Sequence, residues 1–123
     1  MKKKILVIDD EEYLLELTQR LLRSSGYEVI TLANGTNALN LIKKELPHLV
    51  LMDLLMPDKD GSEICQEMKS DAAIHHIPVI LTTGQMLDQS EYSDKESIGA
   101  DDYLMKPFEI DDLLTKIEKL LTK

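Results

Sequence analysis

Short runs of consecutive apolar residues alternate along this chain with longer stretches in which apolar positions recur every three or four residues. The runs at residues 5–8 (Ile-Leu-Val-Ile) and 49–52 (Leu-Val-Leu-Met) lack polar alternation, the pattern of strands buried on both faces. Residues 27–32, 77–82 and 103–105 supply three more predicted strands, with Pro78 near the start of the fourth, where a missing N–H is tolerated. Helical periodicity fills the gaps. Residues 11–25 place Leu14, Leu17, Leu21 and Leu22 on one face and stop before Gly26, a C-terminal cap residue. Asn34 or Thr36 caps a helix that turns Ala38, Leu41 and Ile42 inward and ends near Glu45, ahead of Pro47. A third helix, 61–69, presents Ile64, Cys65 and Met68, and a fourth, 88–98, is polar and weakly periodic. The last, 109–121, repeats Ile110, Leu113, Leu114, Ile117 and Leu121.

Five strand–helix units in strict alternation predict a parallel sheet covered on both faces. With no internal repeat, low-complexity tract or linker, the expected architecture is one doubly wound α/β domain spanning 1–123. Its five-stranded sheet is expected in the flavodoxin-like order 2-1-3-4-5.

Composition narrows the function classes. A net charge of −9 argues against direct nucleic-acid binding, which needs a basic footprint. The single cysteine, Cys65, excludes an internal disulfide, and no Cys/His spacing suggests zinc. His75 and His76 are adjacent, so on a regular element they diverge, and they read as exposed loop residues. Lys2-Lys3-Lys4 precedes an apolar run too short for a signal peptide, and no run approaches membrane-spanning length. A soluble cytoplasmic protein is expected.

The chemistry gathers where predicted strands end. In an open parallel sheet, ligands bind beyond the carboxyl ends of the strands, where strand order reverses. Strands one and three meet there, ending in Asp9-Asp10 and Asp53; strand four ends in Thr82-Thr83-Gly84, and strand five runs into Lys106-Pro107. Each has an ordinary reading: Asp10 as a cap of the first helix, Thr83 as a cap of the fourth, Lys106 as a solvated cation. Together, three crowded carboxylates call for a divalent cation, and hard oxygen ligands select Mg²⁺, with Mn²⁺ as the alternative. A metal, a hydroxyl and an ammonium around an ionised carboxylate form a phosphoryl-transfer site, with Asp53 as an in-line nucleophile that needs no general base. No Gly-rich phosphate loop is present, so nucleotide binding is not expected.

Asp9-Asp10, Asp53 followed by Met56-Pro57-x-x-Asp60-Gly61, Thr83, and Lys106-Pro107-Phe108 resemble, in order and spacing, the receiver (response-regulator) domain of two-component signalling. The resemblance implies a CheY-like phosphoacceptor switch rather than a turnover enzyme. Asp53 would take a phosphoryl group from a histidine kinase or phosphotransfer protein. Asp10, Asp53 and the backbone carbonyl of Leu55 would bind Mg²⁺, with Asp9 ligating through water. Thr83 and Lys106 would contact the phosphoryl oxygens. Thr83 is preferred over Thr82 because the family hydroxyl lies five residues beyond the strand-initiating Pro78, and alternation turns Thr82 to the other side. Tyr103 matches the switch aromatic, and the Lys106-Pro107 bond is expected cis.

Phosphorylation would draw Thr83 inward, let Tyr103 fill the vacated space, and remodel the surface of the 88–98 helix, the fifth strand and the last helix. Leu55 is apolar where many receivers are polar, and its bulk is expected to slow autodephosphorylation, with Gln85 partly restoring it by orienting water. Gly84 stands where a small residue such as Ala is usual and permits more backbone freedom. The competing readings are a Mg²⁺-dependent phosphatase with an aspartyl nucleophile and a receiver-like scaffold that is never phosphorylated. Such phosphatases place an Asp-x-Asp nucleophile on strand one, a pattern absent here, and the intact set of site residues argues against the scaffold. Both chain ends are tidy, which favours a stand-alone receiver acting on a protein target over a regulator missing its output domain.

Overall fold

A computed structural model describes residues 2–84 and 99–122. Its strands are β1 (Lys4–Ile8), β2 (Glu28–Leu32), β3 (Leu49–Asp53), β4 (Val79–Thr83) and β5 (Asp102–Met105). Its described helices are α1 (Glu12–Ser24), α2 (Ala38–Glu45), α3 (Gly61–Lys69) and α4 (Ile110–Leu121). All strand pairs are parallel and the order is β2-β1-β3-β4-β5, as expected. The helix expected at 88–98 and Gln85 lie outside the described residues. Among the described residues, no helix is long and apolar enough to cross a membrane.

Two apolar layers sandwich the sheet. Leu6, Ile8, Val50, Met52 and Val79 face Ala38 and Ile42 of α2 and Ile64 and Met68 of α3. Ile5, Val7, Leu49, Leu51 and Ile80 face Leu15 and Leu22 of α1 and Leu113 and Ile117 of α4. The strands therefore alternate sides even though nearly every residue is apolar, and each fully buried Leu or Ile contributes roughly 2 kcal/mol.

The inward face of α1 differs from expectation. Leu15, Thr18 and Leu22 are buried, whereas Leu17 and Leu21 are 41% and 36% exposed. The apolar stripe of this helix is wider than the sheet can cover. Periodicity located the stripe, but not its centre. Leu14, Leu17 and Leu21 instead line a groove of about 490 Å³ that is closed on its far side by Phe108, Ile110 and Leu113.

Boundaries shift by one or two residues. β4 begins after Pro78 and extends to Thr83, and β3 takes in Asp53. The N-cap of α2 is Asn37, whose N–H donates to Asn34 Oδ1 at 3.1 Å. Asp60 caps α3 by accepting from Ser62 N at 2.8 Å. The Lys106-Pro107 peptide is cis.

The turn from β3 into α3 closes on Gly61. Its N–H donates to the Leu54 carbonyl at 2.7 Å, and a Cβ at this position would collide with the Asp53 carbonyl oxygen. Gly61→Ala is therefore expected to destabilise the domain by about 2–3 kcal/mol. At Gly84 no described atom comes within 4 Å of an added Cβ, so Gly84→Ala is expected to stay within about 0.5 kcal/mol. Urea unfolding midpoints measure both, and equal midpoints would contradict the close approach at Gly61.

Candidate functional site

Strand register brings the acidic residues together. Ile8 pairs with Met52, so Asp9, the residue directly after β1, stands beside Asp53 at the end of β3. This is the point at which β1 lies between β2 and β3 and strand order reverses. Carboxylate oxygens of Asp9, Asp10 and Asp53 lie within 4.8 Å of one another. Asp9 and Asp53 are only 5% and 6% exposed, whereas Asp10 is half-buried.

Lys106 reaches this cluster from the far side of the sheet. Its backbone N–H donates to the Thr83 carbonyl at 2.7 Å, fastening the end of β5 to β4. Its ammonium then donates to Asp9 Oδ2 at 2.7 Å and to Asp53 Oδ2 at 3.2 Å. Exposed Glu11 lies 4.0 Å from the same nitrogen, at the edge of contact. The other oxygens are also engaged. Asp9 Oδ1 accepts from Glu11 N at 2.9 Å, and Asp53 Oδ1 accepts from Leu55 N at 3.3 Å. The cap of α1 is Glu11, without a side-chain hydrogen bond; Asp9, not Asp10, steadies the entry to this helix.

Charge explains the titration of the pair. Burial works against the Lys106 ammonium, but hydrogen bonds and charge from Asp9 and Asp53 outweigh it and raise its pKa. For Asp53, burial pushes the pKa up; Lys106 pulls it down and Asp9 pushes it up again. One ammonium shared by two carboxylates leaves Asp53 net raised. Three carboxylates against one ammonium carry a formal charge of −2, which a divalent cation matches, and hard oxygen donors this close fit Mg²⁺.

The two threonines separate by register. Asp53 pairs with Thr82, and Thr83 pairs with Met105. Tyr103 pairs with Leu81, two residues before Thr83, so Thr83 and Tyr103 lie on the same side of the sheet. Both threonines are buried and Tyr103 is half-buried. Thr82 thus stands next to Asp53 in register, and Thr83 stands on the side of the aromatic ring. Leu55, between buried Leu54 and Met56, is 39% exposed at the mouth of the site.

Sequence reasoning did not single out Asp58. Its Oδ2 accepts from Gly35 N, Thr36 N and Thr36 Oγ1 at 2.9, 2.9 and 2.7 Å. These bonds, led by that from the Thr36 hydroxyl, hold its pKa down at about 2.

The profile of the response regulator receiver domain matches residues 5–118. The chain is 39% identical over 122 residues to "Probable transcriptional regulator ycf27" of Porphyridium aerugineum, covering 99% of this chain and 49% of that protein. It therefore spans about half the length of the curated relatives it matches. The crystal structure of a putative response regulator from Chloroflexus aurantiacus superposes with a TM-score of 0.91 at 32% identity, covering 100% of both chains. The receiver domain of sensor histidine kinase PA1611 from Pseudomonas aeruginosa superposes with a TM-score of 0.90 at 26% identity, covering 100% of both chains. That structure has a magnesium ion coordinated in its active-site cleft.

A raised carboxyl pKa stabilises the fold fully below the ordinary value of 3.8 and loses that contribution as pH rises through the raised value. Asp53→Asn removes this loss. In metal-free protein at pH 7 it is expected to raise Tm. The advantage should vanish below about pH 3.8, where wild-type Asp53 is protonated in both states. Thermal melts from pH 3 to 7 check it, and a pH-independent difference would contradict the cause assigned.

Proposed function

The chain belongs to the response regulator receiver domain family, and we propose that it acts in phosphorelay signalling by taking a phosphoryl group on Asp53. Receiver domains are phosphoacceptor switches that bind Mg²⁺ at an acidic site and interact with histidine kinases and downstream effectors. The observation that carries the assignment of Asp53 is the Lys106 ammonium, shared between Asp53 and Asp9 inside the three-carboxylate cluster.

On this reading residues 1–123 form one receiver domain of a cytoplasmic protein. Asp10, Asp53 and the Leu55 carbonyl would hold Mg²⁺ directly, and Asp9 through water. When bound, the ion supplies charge neutralisation for the phosphoryl oxygens. An Asp53 carboxylate oxygen attacks the phosphorus of a phosphohistidine on a histidine kinase or phosphotransfer protein. A P–O bond to Asp53 forms, the P–N bond breaks, and the imidazole leaves with its electron pair. Lys106 pairs with one phosphoryl oxygen and Thr83 donates a hydrogen bond to another. The domain itself catalyses both this transfer and the later attack of water on the acyl phosphate, which restores Asp53 and releases inorganic phosphate.

The placement of Thr83 on the Tyr103 side supports a coupled switch. A hydroxyl drawn toward the phosphoryl group changes what the ring packs against, and that difference between states shifts the population. The output passes to a protein target or to an output domain in a longer regulator.

Acetyl phosphate with MgCl₂, followed by intact mass, tests the central assignment. A single phosphoryl adduct is expected in wild type and none in Asp53→Asn. Continuous phosphate release at many turnovers would point to a phosphatase, and no adduct to a scaffold. In the same assay Leu55→Asn should shorten the adduct's half-life several-fold, by admitting and orienting water; an unchanged half-life would remove the role given to Leu55.

The two threonines are distinguished by NMR of the Tyr103 ring. Thr83→Val is expected to be phosphorylated yet to lose most of the phosphorylation-dependent shift of that resonance, while Thr82→Val keeps it. The reverse outcome would transfer the switch role to Thr82.

A further inference from the structure

We propose that Asp58 is a positioning residue for the metal site: by gripping the loop at residues 35–36, its carboxylate fixes the β3–α3 loop in the conformation that sets Leu55 beside Asp53. The inference rests on the reading of Asp53 and Leu55 as metal ligands and goes beyond it. A carbonyl ligand has no rotamer to adjust, so its position is set entirely by the conformation of its loop, and groups outside the ligand set must supply that order.

The loop is pinned on three sides. At its base, Leu54 N donates to the Thr82 carbonyl and Gly61 N to the Leu54 carbonyl, both at 2.7 Å. From inside, Leu54 and Met56 are buried in the core and hold the chain on either side of exposed Leu55. On the outer side the fastening is Asp58. Its Oδ2 takes the two amides and the hydroxyl of Gly35 and Thr36, and Oδ1 lies 3.2 Å from Gly35 N. The two loops touch directly, since a Cβ on Gly35 would lie 2.9 Å from the Lys59 carbonyl oxygen. Pro57, with its fixed φ, transmits the anchorage at Asp58 back toward Leu55.

These bonds are not a helix cap in disguise. α2 begins at Ala38 with Asn37 as its N-cap, and the Asn37 N–H is met by Asn34. Gly35 and Thr36 precede that cap, so Asp58 satisfies none of the free amides of the first helical turn. What it joins is one loop to another, through charge-assisted hydrogen bonds that keep the carboxylate ionised.

The test compares wild type with Asp58→Ala, Asp58→Asn and Thr36→Val. Mg²⁺ affinity is measured by calorimetric titration of the unphosphorylated protein, and phosphorylation by acetyl phosphate is followed as a function of Mg²⁺. Asp58→Ala is expected to weaken Mg²⁺ binding about tenfold, the effect typical of removing a group that orients a ligand. Its phosphorylation rate should return to wild type at saturating Mg²⁺. Asp58→Asn, whose amide oxygen still accepts from both backbone amides, should recover much of the affinity, and Thr36→Val should lose less than Asp58→Ala. An Asp58→Ala protein with a lowered Tm but wild-type Mg²⁺ affinity overturns the inference and leaves Asp58 a purely structural tie. Wild-type protein that binds no Mg²⁺ overturns the metal-site reading and this inference with it.

Discussion

The ammonium of Lys106, held between two buried carboxylates, is the interaction on which the rest of the site depends. Lys106 and Asp9 are 97 residues apart in sequence and 2.7 Å apart in space. Removing such charges from water costs several kcal/mol per ion unless partners are in place. The sheet order supplies them. Lys106 follows β5, is fastened through its backbone to the end of β4, and extends across β3 to the end of β1. This order sets the ends of β1 and β3 side by side, so that one cation meets both carboxylates. The doubly wound topology is therefore a condition of the chemistry as well as its frame.

The strands and their order were legible because β1 and β3 are built on unbroken apolar runs, the other three are short and rich in apolar residues, and strict alternation with helices leaves few topologies. Asp9, Asp10, Asp53 and Lys106 were legible for a related reason: each interrupts or follows such a run, where a charge demands an explanation. What the sequence could not convey is register and orientation. Leu15 rather than Leu17 meets the sheet from α1, because Leu14, Leu17 and Leu21 compete with Leu15, Thr18 and Leu22 for one face, and the last three are buried. Thr82 and Thr83 are adjacent and both buried; distance from Pro78 and alternation favoured Thr83, and pairing with β3 and β5 places the two on opposite sides of the sheet. Asp58 was hidden because its partners, Gly35 and Thr36, lie 23 and 22 residues earlier, and two of its three donors are backbone amides that leave no mark in a sequence.

Register also limits how a signal can leave the site. Side chains on adjacent parallel strands share a side when they pair, and Asp53 pairs with Thr82, not Thr83. A phosphoryl group on Asp53 would thus reach the Tyr103 side of β4 only by engaging the residue that ends the strand. Thr83 is that residue, and it has a second tie to the far edge through its carbonyl, which accepts from Lys106 N. On the proposed reading its side chain would meet the phosphoryl group while its main chain is tied to Lys106, which follows β5.

Charge conservation gives that mechanism its direction. Converting the Asp53 carboxylate to an acyl phosphate makes the site more negative and adds acceptor oxygens. Among the described residues the ammonium nearest these oxygens is Lys106, already donating to Asp9 at a shorter distance than to Asp53. On the proposed reading, Asp9 and the phosphoryl oxygens must compete for it. Any share that Asp9 loses would leave a buried charge that a bound divalent cation could neutralise. On the same reading, metal occupancy and the position of Lys106 would be coupled, and because Lys106 continues directly from β5, that coupling would run into the strand that carries Tyr103.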